Sequence, residues 1–200
     1  MSEEQQQADN RKRPTTDEFR AFVAEDWAPR STERPPLTEA ARRAAQRRQA
    51  LSAAFEGDRL VIPAGGLKVR SNDTDYVFRP HTAFAYLTGL GADREPDAIL
   101  VMEPLEGGGH DATLYFRPLA GRDTEEFFGD SRYGEFWVGA RPSIEDVESE
   151  LGLGGAHVDG FDDAVGKDAG QVTVRMIRDA ESALTARVDE IRASNGAQAE

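Results

Sequence analysis

At 200 residues the chain has the length of one domain with tails, enough to bury about two-thirds of its unfolded surface. Its hydrophobic fraction of 38% and mean hydropathy of -0.60 are low for that length and point to a polar extension. A net charge of -13 excludes nucleic acid as a main partner, because a polyanion would meet net repulsion. Cysteine is absent, which removes disulfides, thiolate nucleophiles and thiolate metal sites and fits a reducing cytoplasm.

Residues 1–36 read as the polar amino-terminal extension, and residues 37–200 as the domain proper. MSEEQQQADNRKRP lacks the apolar core of a signal peptide, and no apolar run approaches the ~18 residues that span a bilayer, so the chain reads as cytoplasmic, soluble and without a membrane partner. Within the extension, Phe19, Phe22, Val23 and Trp27 recur at helical spacing. DEFRAFVAEDW is therefore expected as a short amphipathic helix capped by Thr16 or Asp17, which docks on the domain or meets a partner.

TEAARRAAQRRQALSAAF, from Thr38, is a strong helix pattern ended by Gly57. Ala41, Ala44, Ala45, Leu51 and Phe55 are expected inward, and the guanidinium groups in water. RLVIPAG reads as a buried strand, and DAILVME and ATLYFRP as an antiparallel hairpin joined by PLEGGGHD. The three glycines of that turn lack the Lys-Ser or Lys-Thr of a phosphate loop. GRDTEEFFGDSRYGEFWVGARPS reads as short helical pieces among glycines. SIEDVESELGL is a helix with Ser143 as N-cap and Asp146 as the acid of a capping box; Ile144, Val147 and Leu151 form its apolar stripe. FDDAVGKDAG as helix, QVTVRMI as strand and a terminal helix carrying Leu184, Val188 and Ile191 inward complete the series. Alternating helices and strands give an α/β class, a mixed β-sheet flanked by helices.

No catalytic constellation emerges from the residues themselves. His81, His110 and His157 lie far apart; His110 reads as an exposed turn residue, and His157 as preceding a short strand. No HExxH or calcium-loop pattern is present. The acidic pairs Asp73 with Asp75, Glu125 with Glu126 and Asp162 with Asp163 are sequence neighbours, which does not place two carboxyls across a substrate.

The stretch RSNDTDYVFRPHTAFAYLTG is different. Its pattern R-S-x-D-x-x-Y-x-F-R-x-x-[ST]-x-F-x-Y-L-T-G is carried by Arg70, Ser71, Asp73, Tyr76, Phe78, Arg79, Thr82, Phe84, Tyr86, Leu87, Thr88 and Gly89. With LVIPAG upstream and EPDAILVME, LYFRP and EFWVGARPS downstream, it resembles the amino-terminal domain of the aminopeptidase P (Xaa-Pro aminopeptidase) family, over roughly residues 38–178. The creatine-hydrolysing branch shares the architecture but matches YLTG less well.

The resemblance implies a pairing with a larger carboxy-terminal pita-bread domain. There two divalent metals, usually manganese, held by two Asp, one His and two Glu, share a hydroxide that attacks the bond before proline. None of those ligands can be placed in this chain, so no catalytic residue and no metal ligand is assigned to it. The two manganese ions are expected in a catalytic domain absent from it, and the chain alone is expected to be inactive. It also implies that this domain builds homo-oligomers and walls the entrance to a site for proline-containing peptides. Trp137 stands at the family's position for an aromatic reaching a partner's site. Tyr76 and Arg79 are further candidates, or else packing residues, the Tyr hydroxyl satisfied and the Arg paired with Asp73 or Asp75. Phe78, Phe84 and Leu87 are assigned to the core. His81 and Ala83 stand where many members carry polar or acidic residues, and DTEEFFGDSRYG is longer than in short members. A non-catalytic peptide- or protein-binding module of the same fold is the alternative.

Overall fold

A computed structural model describes residues 16–72 and 74–196, so Asp73 lies outside the described residues. The chain divides into two compact units. One joins Arg34–Pro118 to Ser143–Glu200; the other joins the chain up to Glu33 to Leu119–Pro142.

The larger unit is built on a five-stranded sheet of β1 (Arg59–Pro63), β4 (Ile99–Pro104), β5 (His110–Phe116), β6 (Gly154–His157) and β7 (Val174–Met176), in the order β6-β5-β4-β1-β7. The two inner pairings, β1 with β4 and β4 with β5, are antiparallel; the two outer ones, β5 with β6 and β1 with β7, are parallel. Both faces are covered, and strand alternation sorts the side chains. Leu60, Ile62, Leu100, Met102 and Leu114 point into one core, shared with α2 (Glu39–Ala54), α3 (Thr82–Thr88) and α6 (Ile144–Leu151). Val61, Ile99 and Val101 point into the other, shared with α7 (Phe161–Gly166) and α8 (Ser182–Ser194). The mixed sheet flanked by helices is the architecture expected from the sequence. A ribbon of β2 (Val69–Ser71) and β3 (Thr74–Asp75) stands apart from it.

Capping fixes the helix starts. Thr38 Oγ1 accepts from Ala41 N at 3.1 Å at the head of α2. Ser143 and Asp146 form the reciprocal capping box of α6, with N–H···O distances of 3.1 and 3.0 Å. α3 ends at Gly89, whose φ of +83° a side chain would strain, and whose Cβ would stand 2.9 Å from the Ala40 carbonyl carbon at the start of α2. The final glycine of the YLTG motif is thus demanded by a close backbone approach.

Several expectations are corrected. Ala45 is exposed, while Arg48 faces inward and donates to the Leu87 carbonyl at 2.7 Å. Arg47 donates to the Tyr86 carbonyl at 3.0 Å and lies over its ring. These guanidiniums satisfy the last carbonyls of α3, which a helix cannot satisfy itself. His110 is not a free turn residue: Nδ1 faces Ser52 Oγ at 2.6 Å and Nε2 the Asp58 carbonyl at 2.7 Å. His157 ends β6 rather than preceding a strand. At the start of β1, fully buried Arg59 pairs with Glu103 at 2.8 Å and with Asp168 at 2.6 Å, and donates to the Val165 carbonyl at 2.9 Å.

The smaller unit holds α1 (Asp17–Ala24), α4 (Glu125–Gly129) and α5 (Glu135–Val138). α1 stops three residues short of the expected end: Glu25 is extended and Asp26 has φ 61°. Trp27, just past the helix, donates its indole N–H to the Val23 carbonyl at 2.7 Å, closing the helix end. Phe127 and Tyr133 are buried here, and a Cβ on Gly134 would lie 2.6 Å from the carbonyl oxygens of both Phe127 and Asp130.

Candidate ligand-contact residues

Tyr76 and Arg79 sit in the larger unit, on the extended stretch that leads from β3 to α3. That stretch is pinned at three points: Tyr76 N donates to the Lys68 carbonyl at 2.9 Å, the Phe78 carbonyl accepts from Asp93 N at 2.8 Å, and His81 N donates to the Ala64 carbonyl at 2.8 Å. Phe78 is the anchor, buried in the core with Phe84 and Leu87 as expected. Its neighbours point out: Tyr76 is 59% exposed and Arg79 is exposed. A packed Tyr76 with its hydroxyl satisfied in the core is therefore not what the fold provides. His81 caps α3 through Nδ1, which accepts from Ala83 N at 3.3 Å.

Trp137 belongs to the smaller unit, so the structure does not bring the three candidates together on one element. It sits on α5, a single turn without a buried residue. Its indole N–H donates to the Phe128 carbonyl at 2.6 Å, and its ring packs against Phe128 and Phe136 at centroid distances of 5.6 and 5.3 Å. Even so the side chain is 52% exposed. Two residues before it, Glu135 receives Arg30 and Arg122, the latter at 3.1 Å. Burial alone would raise the Glu135 pKa; the hydrogen bonds from Arg30 and Arg122 outweigh it and hold the carboxyl below the ordinary glutamate value. A carboxylate held by two arginines on the same short turn as a half-exposed indole puts fixed charge and aromatic surface on one element.

One feature of the larger unit was not legible in advance. A cavity of about 890 Å³ lies between α2 and the β1–β7 edge, lined among others by Arg47, Leu51, Phe55, Tyr86, Met176 and Ile177. It contains none of the three candidates. The helical period of α2, which turns Leu51 and Phe55 inward, is its only sequence signal.

Among the described residues, no three His, Asp or Glu side chains converge where a metal could sit. The donor set described does not fit a dinuclear metal centre. Nor does any described helix have the length and apolarity to cross a membrane.

The model of the aminopeptidase P N-terminal domain matches residues 44–174. Xaa-Pro aminopeptidase 1 of Streptomyces coelicolor is 43% identical over 176 residues, covering 86% of this chain and 35% of the relative. Xaa-Pro aminopeptidase 2 of the same organism is 46% identical over 138 residues, covering 68% and 28%. Among solved structures, zinc-substituted aminopeptidase P of Escherichia coli in complex with product aligns with a TM-score of 0.62 at 20% identity, covering 78% of this chain and 33% of that one. Proline aminopeptidase P II from Yersinia pestis aligns with a TM-score of 0.61 at 21% identity, covering 76% and 32%. These structures share the fold. The chain spans about a third of the length of the curated relatives it matches.

Proposed function

The chain belongs to the aminopeptidase P N-terminal domain family, and from that premise we propose that it serves as the non-catalytic amino-terminal domain of a manganese-dependent Xaa-Pro aminopeptidase. In this reading residues 37–200 form the domain proper and residues 1–36 its extension. The domain supports a cytoplasmic homo-oligomer and walls the entrance through which a peptide with proline in second position reaches a metal-bearing catalytic domain. The relatives named Xaa-Pro aminopeptidase support the substrate class.

The observation that carries the walling role is Trp137, whose ring is half exposed although its N–H is satisfied and its neighbours are aromatic. Apolar surface held outward by a rigid support suits the ring of a proline residue. Tyr76 and Arg79, both exposed, are the secondary contacts.

The test is hydrolysis of an Xaa-Pro peptide with manganese supplied. A protein of the relatives' length that carries this chain is expected to release the amino-terminal residue, and the chain alone is not. In the longer protein Trp137→Ala should lower kcat/KM about tenfold with little change in thermal stability. Inertness of the longer protein toward prolyl peptides under every divalent metal would refute the proposal. Saturable binding of such a peptide by the chain, without turnover in the longer protein, would make it a recognition module instead.

A further inference from the structure

We propose that residues 16–30 act as a positioning clamp for Trp137, fixing the indole so that its ring face, and not its N–H, is what a ligand meets. α5 has four residues and no buried side chain, and Gly139 at φ +84° ends it. One helical turn does not hold itself, because nucleation costs more than a single turn returns. Its orientation must come from what touches it.

Three strands of contact lead from the amino-terminal segment to that turn. Phe19, on the helix that Thr16 caps at 3.2 Å, sets its ring edge on Phe128 at 5.2 Å, and the Phe128 carbonyl is the acceptor for the Trp137 N–H. Trp27 stands edge-on to Phe127 and Phe136 at 5.4 and 6.0 Å, and Phe136 in turn packs on Trp137. Arg30 spans the Ala120 carbonyl at 3.0 Å and the Glu135 carboxylate. Arg122 closes the loop, donating to the Ala28 carbonyl at 2.9 Å and to Glu135. Segments far apart in sequence are thereby locked around the turn that carries the indole.

With its donor consumed, Trp137 offers a ligand a π-face and an apolar edge. That selects for a saturated or aromatic ring over a hydrogen-bond acceptor. This consequence for recognition rests on the reading of Trp137 as a ligand contact; the clamp itself does not.

The test needs no substrate. In the full chain with Trp27→Phe, which keeps an aromatic ring toward Phe127 and Phe136, Trp137 is the sole tryptophan, and acrylamide quenching reports its exposure relative to that background. Phe19→Ala and Arg30→Ala are each expected to raise the quenching constant about twofold, the factor between half and full exposure. Phe19→Tyr, which keeps the ring edge, should leave it unchanged, as should the far-UV spectrum in every variant. If Phe19→Ala unfolds the smaller unit outright, Phe19→Leu supplies the reading, with a smaller rise expected. Unchanged quenching in both Arg30→Ala and the Phe19 variant overturns the clamp. The two proposals fail separately: peptide turnover indifferent to Trp137→Ala would sink the ligand reading and leave the clamp standing.

Discussion

The two units use large side chains in opposite ways. In the larger one, alternation along the strands drives Leu60, Ile62, Leu100 and Leu114 into one core and Val61, Ile99 and Val101 into the other, and the sheet is closed to water on both faces. In the smaller one, Phe127 is buried, yet Phe136 and both tryptophans keep much of their surface in solvent. Edge-to-face contacts and a carboxylate held by two arginines take the place of a deep core. The first arrangement uses aromatic and aliphatic groups to exclude water; the second uses them to keep a surface in a fixed shape. Rigidity without burial is what a contact surface needs.

The contrast can be broken at either end, and the two are separable by spectroscopy because both tryptophans, Trp27 and Trp137, lie in the smaller unit. The largest effect is expected from Arg59→Ala, which removes a fully buried guanidinium from Asp168 and leaves Glu103 only Lys167 at 3.5 Å; it should cost about 3–5 kcal/mol in denaturant unfolding followed by far-UV circular dichroism. Gly89→Ala follows, at about 2–4 kcal/mol, from strained φ and the clash with the Ala40 backbone. Glu135→Ala is expected to cost the smaller unit about 2 kcal/mol, seen as a shift of the tryptophan transition while the far-UV transition stays in place.

Acid should act on the same carboxylate, Glu135. The folded Glu135 pKa is lowered, so its contribution is complete above the unfolded glutamate value and fades as pH falls through the folded one. Tryptophan fluorescence measured downward from neutrality should therefore show loosening only below the ordinary glutamate range, and not in Glu135→Gln. The smallest change is expected from Tyr76→Ala, within about 0.5 kcal/mol because the ring is mostly in solvent. A large destabilisation there would return Tyr76 to a packing role.

Much of the fold could be read from the chain alone because its signals are local. The capping box at Ser143 and Asp146, the Thr16 cap and the hairpin across PLEGGGHD each need only a few neighbouring residues. What escaped depends on distant partners. Arg48 faces inward because the end of α3 has carbonyls to satisfy, which no period of α2 announces. β6, written GGAH, has almost no strand propensity and exists through its pairing with β5. The association of residues 16–33 with 119–142 is likewise a tertiary fact, hidden behind the polar composition of the extension. Trp137 could be picked out by resemblance, but its tethered N–H could not.

Strand order carries a kinetic consequence. β4 and β5 meet through a tight turn, whereas β1 finds β7 only from near the opposite end of the larger unit's sequence. Loop-closure entropy puts that meeting after the β4–β5 hairpin in the expected order of folding. During synthesis β1 therefore waits with one edge bare until Val174–Met176 has left the ribosome, and a chain cut short of Val174 would present that edge for aggregation.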